Sequence, residues 1–366
     1  MKEKDKINFI ELLKKHISYK DGFWIYEGKQ VVSESTVREF IRQQGIPCLE
    51  KDITDILSEL SYYNLDFDID EYFREMVQSR AGTGKSKYFE SLDKLYPGNK
   101  FREIMNYYLF SNECYSFILI GYGQTGKTTF VGVIAKILGE CFFGRSNVGL
   151  LRNSHGTAIL EGKAFFEVAE AQDLDLDTAN MLKSIITNDD IYVNPKFQLP
   201  RTVRPHSKLI MTCNNMPRFK VTDDGIIRRF ITIRMDNKIN KQNRNFLKEI
   251  EEDIPNIIGE ALTHPFNIED FAQEQYAIFE NDPQWGFGYG LENNNRNYSG
   301  DTAYDKYRSM CSALGYNARN KMNFDKFIEL AKIYGERVKC DITSKDSLEQ
   351  NGMILLKDSE LEDLPW

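Results

Sequence analysis

Residues 121–128 read Gly-Tyr-Gly-Gln-Thr-Gly-Lys-Thr, between the apolar run Ser116-Phe117-Ile118-Leu119-Ile120 and a helix-like stretch from Thr129 to Gly139. A buried strand, a glycine-rich turn and a helix in that order can wrap a phosphate. Backbone N–H groups of Gly121, Tyr122, Gly123, Gln124, Thr125 and Gly126 would face the β-phosphate, and Lys127 would reach the β and γ oxygens. The Thr128 hydroxyl would bind Mg²⁺, and Thr129 lies in the first turn of a helix whose N-terminus favours anions. The expected ligands are ATP and Mg²⁺. The alternative is a chance match in a glycine turn, which the flanking strand and helix disfavour.

A second segment tests that selectivity. Arg80-Ala81-Gly82-Thr83-Gly84-Lys85-Ser86 also ends in Gly-Lys-Ser, but Ser79 stands where the motif needs glycine. The stretch before it, Asp70 to Met76, is charged and helix-like, so no strand feeds the turn. Residues 79–87 read as a surface loop.

Downstream, Gly162-Lys163 leads into Ala164-Phe165-Phe166-Glu167-Val168-Ala169-Glu170, a strand ending in a carboxylate that could orient Mg²⁺ or an attacking water. Glu170, at the strand's end, is the stronger candidate. Strand alternation places Glu167 on the opposite side, where its alternative reading is a residue paired at the sheet surface. Lys208 to Cys213 is a further strand, followed by Asn214-Asn215-Met216-Pro217, and Arg228-Arg229 precede the strand Phe230 to Arg234. Taken singly, Asn214 could be an ordinary turn residue and the arginines could merely pair with Asp223 or Asp224.

In this order the four motifs resemble the superfamily 3 helicases, most closely the phage, plasmid and poxvirus-type primase-helicase branch, over about residues 100–262. The resemblance implies an AAA+-like P-loop ATPase core, with Gly121–Thr128 as Walker A, Glu170 as the Walker B acid and metal-orienting group, and Asn214 as sensor 1. Arg228 and Arg229 fall where the family has an arginine finger that completes a neighbouring subunit's ATP site. Lys183 through Lys196 is similar to the family's hallmark motif, which puts Lys196 on a DNA-gripping hairpin in a central channel. A homo-hexamer and single-stranded or forked DNA follow as expected partners, with primase, polymerase or initiator proteins as further candidates. Two departures stand out: Thr187-Asn188-Asp189 replaces Gly-Gly-Asp or Gly-Asp, and Ala171 follows Glu170 where some relatives have a second acid. On residue type alone, Lys196 with Arg201, Arg204 and Lys208 nearby could be only a solvated basic face.

These groups need a scaffold, and the pattern supplies an α/β one with a mainly parallel sheet. Candidate strands are 115–120, 164–169, 208–213 and 230–234, with a helix at 176–187 and another at 245–262 that Pro255 must kink or divide. Ahead of this core, residues 1–95 read as a helical collar or docking domain. It has a helix face at Ile7, Ile10, Leu13 and Ile17, a hairpin turning at Glu27-Gly28, and a helix capped by Ser35 or Thr36. About 95 residues without a metal-binding acidic cluster are too few for a primase domain, so primer synthesis is not expected. Residues 266–300 read as a linker, glycine- and asparagine-rich from 280 on, and 301–366 as a winged-helix-like domain that contacts DNA or protein.

At 366 residues, 41% hydrophobic and 13% aromatic, the chain suits two or three folded domains. Its charged N-terminus and lack of an 18-residue apolar stretch point to a soluble protein, expected in a bacterial host cytoplasm. Six scattered cysteines read as reduced, mostly buried thiols, and four histidines show no transition-metal pattern. The net charge of −8 hides an excess of +4 in residues 97–235, which hold 17 Lys/Arg against 13 Asp/Glu. That excess permits a local DNA contact. The second reading is a nucleotide-dependent loader or scaffold that assembles on DNA or a partner without unwinding. A small-molecule kinase is a distant third, lacking an evident acceptor-site base.

Overall fold

The computed structural model describes residues 3–45, 48–62, 66–152, 154–171, 173–195, 199–214, 217–219, 225, 228–239, 246–271 and 274. The linker from 280, the winged-helix-like domain, Lys196, Asp223 and Asp224 lie outside them. In chain order the elements are α1 (Glu3–Leu13), β1 (Ile17–Lys20), β2 (Phe23–Tyr26), β3 (Gln30–Val32), α2 (Glu34–Gln43), α3 (Glu50–Leu60), α4 (Ile69–Gln78), α5 (Lys87–Asp93) and α6 (Lys100–Phe110). Then come β4 (Ser116–Ile120), α7 (Lys127–Leu138), β5 (Phe143–Asn147), α8 (Ser154–Thr157), β6 (Phe165–Ala169), β7 (Asp173–Leu174), α9 (Leu176–Ile186), β8 (Ile191–Val193), β9 (Arg201–Val203) and β10 (Lys208–Cys213). The last are β11 (Arg218–Phe219), β12 (Phe230–Arg234), α10 (Phe246–Glu249) and α11 (Ile254–Leu262). No helix among the described residues is long and apolar enough to cross a membrane.

Contacts divide the chain into two compact units. The first comprises 1–172, 176–215 and 233–270; the second comprises 173–175, 216–232 and 271–366. The boundary expected near residue 95 falls inside the first unit. In the second unit β7 and β11 pair in parallel.

A five-stranded sheet, ordered β12-β4-β10-β6-β5, dominates the mixed α/β fold; β12 belongs to the first unit from Ile233 on. β4, β10, β6 and β5 pair in parallel with one another. β4 is buried at all five positions, as expected for a strand covered on both faces. Pro255 does divide the last helical stretch. It sits in the first turn of α11, where its missing N–H costs nothing, and a 3₁₀ turn separates α11 from α10.

At the N-terminus, β1, β2 and β3 form an antiparallel meander packed by α1, α2 and α3 around Phe9, Ile10, Leu13, Trp24, Ile41 and Ile56. Three expectations need correction here. Ile17 starts a strand and does not extend α1, because Asp21 and Gly22 both adopt positive φ (50° and 96°) and close a two-residue hairpin. Ile7 is 56% exposed; Phe9 takes the core position beside Ile10. The cap of α2 is Ser33, whose hydroxyl accepts from the Thr36 N–H at 3.2 Å. Cysteines are also less buried than expected: of the four described, only Cys213 is, because it lies in the central strand while Cys48, Cys114 and Cys141 sit in connections.

Candidate functional site: a phosphate loop at the sheet's carboxyl edge

Parallel registry brings the chemistry together. Cys213 lies opposite Ile120, and Thr212 opposite Ala169, so the chain leaves β4, β10 and β6 at one edge. Both flanking turns hang on β10: the Gly121 N–H donates to the Cys213 carbonyl (3.2 Å), and the Glu170 N–H to the Thr212 carbonyl (2.8 Å). Ligands of open parallel sheets settle at this edge.

The loop geometry needs its glycines. A Cβ at Gly121 would sit 2.0 Å from the Met235 carbonyl oxygen, and Gly126 holds φ +98° as it opens α7 without a side-chain cap. Gln124, also left-handed at φ +70°, accepts from the Ile239 N–H at 2.8 Å. The Tyr96 hydroxyl lies 3.2 and 3.1 Å from the Thr125 and Asn237 carbonyl oxygens, bracing the loop from below. Lys127 is 9% exposed, its Nζ donating to the carbonyls of Gly121 and Tyr122. Burial pulls its pKa below the ordinary 10.5.

Gly123, Gln124, Thr125, Gly126, Lys127, Thr128 and Thr129 line a cavity of about 790 Å³ together with Glu170 and Asn214. The residues expected at strand ends therefore share one chamber with the phosphate loop. Tyr122 instead points outward, 66% exposed. One wall is apolar: Tyr88 and Leu92 from α5, Leu95, Ile239 and Phe246, with the Tyr88 and Phe246 rings 6.0 Å apart. A polar floor beside an aromatic wall suits a nucleotide's phosphates and base.

Glu167 departs from its expected orientation. Alternation puts it on the side opposite Glu170, yet both line the cavity, because the strand ends at Ala169 and Glu170 turns at φ +54°. Glu167 is 1% exposed; its Oε1 accepts from Thr212 Oγ1 (2.6 Å) and its Oε2 meets Arg145 Nε (2.5 Å). Arg145 and Thr212 were not legible as site residues. Arg145 sits in a polar edge strand, Phe143-Gly144-Arg145-Ser146-Asn147, that carries no strand signal.

Other candidates are not brought to this chamber. Lys183 lies half-exposed on α9 and is not among the cavity-lining residues. β8 and β9, which flank Lys196 in sequence, form an antiparallel pair, with Ile191 opposite Val203. Asn188, where the resemblance expects glycine, adopts φ +53°, a conformation asparagine tolerates better than most residues. The neighbouring basic residues differ: Arg204 is exposed, whereas Arg201 binds Glu161 through Nε and Nη2, both at 2.8 Å, and Lys208 is half-buried with its ammonium turned inward. Its Nζ donates to the Tyr107 and Ser111 carbonyls and lies 4.6 Å from the Tyr107 ring, and burial lowers its pKa to about 7. Arg228 is exposed and Arg229 half-exposed in the second unit, where Arg229 Nε donates to the Gly225 carbonyl at 3.0 Å.

Among the described residues no cluster of three His, Cys, Asp or Glu could cage a metal. The exposed Thr128 hydroxyl and the Glu170 carboxylate fit a magnesium ion carried mainly by phosphate oxygens and water.

Residues 119–229 match a protein family described as a family of unknown function, DUF5906. The matched segment runs from β4 through the phosphate loop, Glu170 and Asn214 to Arg229, less than a third of the chain. No curated protein matches. Among solved structures, the A-form apo structure of the NrS-1 C-terminal region aligns over 94% of this chain and 92% of that chain, at 15% identity and a TM-score of 0.49. An apo structure of the NrS-1 C-terminal region (305–718) aligns over 96% and 94%, at 14% identity and the same TM-score. A likeness of this size establishes neither fold nor activity.

Proposed function

We propose that the chain is an ATP-dependent, ring-forming DNA helicase that serves replication of a phage or mobile element. One observation supports this most: the phosphate loop, Glu170 and Asn214 line one cavity at the ends of adjacent parallel strands. The order of motifs along the chain then narrows a generic ATPase to this kind of motor.

In this reading the loop N–H groups and Lys127 hold the β- and γ-phosphates, and the depressed lysine pKa reflects a cation kept dry for an anionic partner. Mg²⁺, held by Thr128 and, directly or through water, Glu170, would neutralise phosphate charge. Glu170 orients the attacking water, its strained backbone aiming the carboxylate into the cavity. Asn214 hydrogen-bonds the terminal phosphate. A neighbouring subunit's Arg228 or Arg229 stabilises the charge that develops on it; such a finger contributes on the order of 10³-fold or more. Lys196 grips one strand's phosphates, so binding is sequence-tolerant and salt-sensitive.

The test is ATP-dependent separation of a forked duplex, run beside Lys127→Ala and Lys196→Ala. Loss of unwinding in both variants supports a motor with a DNA-gripping hairpin. Robust ATP hydrolysis without unwinding by the unmodified protein overturns it in favour of a loader or scaffold.

A further inference from the structure

We propose that Arg145 is a terminal-phosphate ligand supplied by the same chain as the phosphate loop, with Glu167 as the positioning residue that aims it; this rests on the ATP reading above. Registry between β5 and β6 sets Arg145 opposite Glu167, and the guanidinium meets the carboxylate through Nε alone, at 2.5 Å. The pair is asymmetric. The Glu167 side chain is 1% exposed, whereas the Arg145 side chain is 47% exposed and lines the cavity.

Both Glu167 oxygens are engaged within the sheet, the second accepting from Thr212 Oγ1 at 2.6 Å. A buried carboxylate is best matched by a cationic partner. Arg145 supplies it by one edge of the guanidinium, and its Nη groups donate to no acceptor among the described residues. Two parallel donors on a rigid plane, anchored from behind, match two oxygens of a phosphate better than a flexible ammonium does.

Sheet order says which phosphate. Residues 235–239 follow β12 on one side of β4 and place Ile239 against Gly126, while Arg145 stands on β5, beyond β10 and β6 on the other side. A nucleotide with its base on the Tyr88–Ile239–Phe246 wall and its β-phosphate in the loop therefore extends its distal phosphate past Glu170 toward Arg145. The residue would distinguish triphosphate from diphosphate without help from a neighbouring subunit.

The experiment compares Mg²⁺-dependent binding of ADP and of a non-hydrolysable ATP analogue to the unmodified protein, Arg145→Ala and Arg145→Lys, with thermal melting of each. The expected result is that Arg145→Ala weakens the triphosphate analogue ~10-fold or more while ADP stays within ~2-fold. Arg145→Lys, which keeps a charge beside Glu167 but not the fork, should lose triphosphate preference several-fold at an unchanged melting temperature. If Arg145→Ala does not fold, the lysine variant decides alone. Equal losses for both nucleotides, or none for either, overturn the role of Arg145 while leaving the ATP site standing. Failure of the unmodified protein to bind either nucleotide overturns the ATP reading and this inference with it.

Discussion

Two loops in this chain end in Gly-Lys-Ser/Thr and lead into a helix, and their surroundings make them opposites. At α7 the loop leaves a buried parallel strand, its N-cap glycine contributes no side chain, and its residues face an open cavity. At α5 the same kind of helix start is closed by the protein's own carboxylates. Asp253 Oδ2 accepts from the Tyr88 N–H and the Ser86 hydroxyl, both at 2.9 Å, and Glu260 accepts from the Ser86 N–H at 2.6 Å. Asn256 Oδ1 takes the Gly84 N–H at 3.1 Å. Residues 79–87 are a mostly exposed surface loop, as expected, but Ser86 within it is 0% exposed, because the polar residues around the start of α11 pack onto it. A helix N-terminus attracts anions wherever it occurs; whether the anion is a nucleotide or a resident aspartate depends on what packs there.

The widest gap between the two loops should appear on removing their lysines. Lys127→Ala is expected to reduce ATP hydrolysis ~100-fold or more, whereas Lys85→Ala, on an exposed position, leaves it unchanged. Nucleotide binding and steady-state hydrolysis measured side by side check this; equal effects would erase the distinction.

Breaking the closed loop should instead affect stability. Asp253→Ala strands the buried Ser86 hydroxyl and the Tyr88 N–H, at a cost of about 2–4 kcal/mol, without changing nucleotide affinity of the folded protein. Denaturant unfolding and nucleotide titration separate the two effects.

A second self-satisfied cluster sharpens the contrast through pH. Burial alone would depress the pKa of His206, but its hydrogen bonds to Asp21 (3.3 Å) and Asp70 (3.1 Å), and their charges, raise it to about 9. With the folded value above the unfolded 6.5, its stabilisation is complete below pH 6.5 and lost as pH rises through 9. The melting temperature should therefore fall between pH 6.5 and 9.5, by an amount equivalent to ~2–3 kcal/mol, and His206→Gln should flatten that slope.

The smallest change is expected at Asn188. With φ at +53°, Asn188→Gly should alter stability by less than about 1 kcal/mol, while Asn188→Val should cost more, ~1–2 kcal/mol. Melting temperatures of the two variants test whether this turn needs the conformation or the side chain.

Much of the frame was legible because its signals are local. β4, β10 and β12 are apolar runs bounded by turn residues, and they came out within a residue of their observed limits. β5 was not legible: two of its five residues are exposed, it carries glycine, arginine and asparagine, and only pairing with β6 makes it a strand. Arg145 was lost with it. β1 was hidden by helical spacing that runs through Ile17, although Asp21-Gly22 carried the hairpin signal.

Local composition was enough to place the glycine-rich loop between β4 and α7, since an apolar strand, a glycine turn and a helix start depend on neighbours in sequence. The convergence of Glu170, Asn214, Glu167 and Arg145 on that loop was decided only by the order β4-β10-β6-β5, because parallel pairing joins residues tens of positions apart. The orientation of Glu167 was settled the same way. Alternation predicts a face only while the strand lasts, and a left-handed residue at 170 ended it.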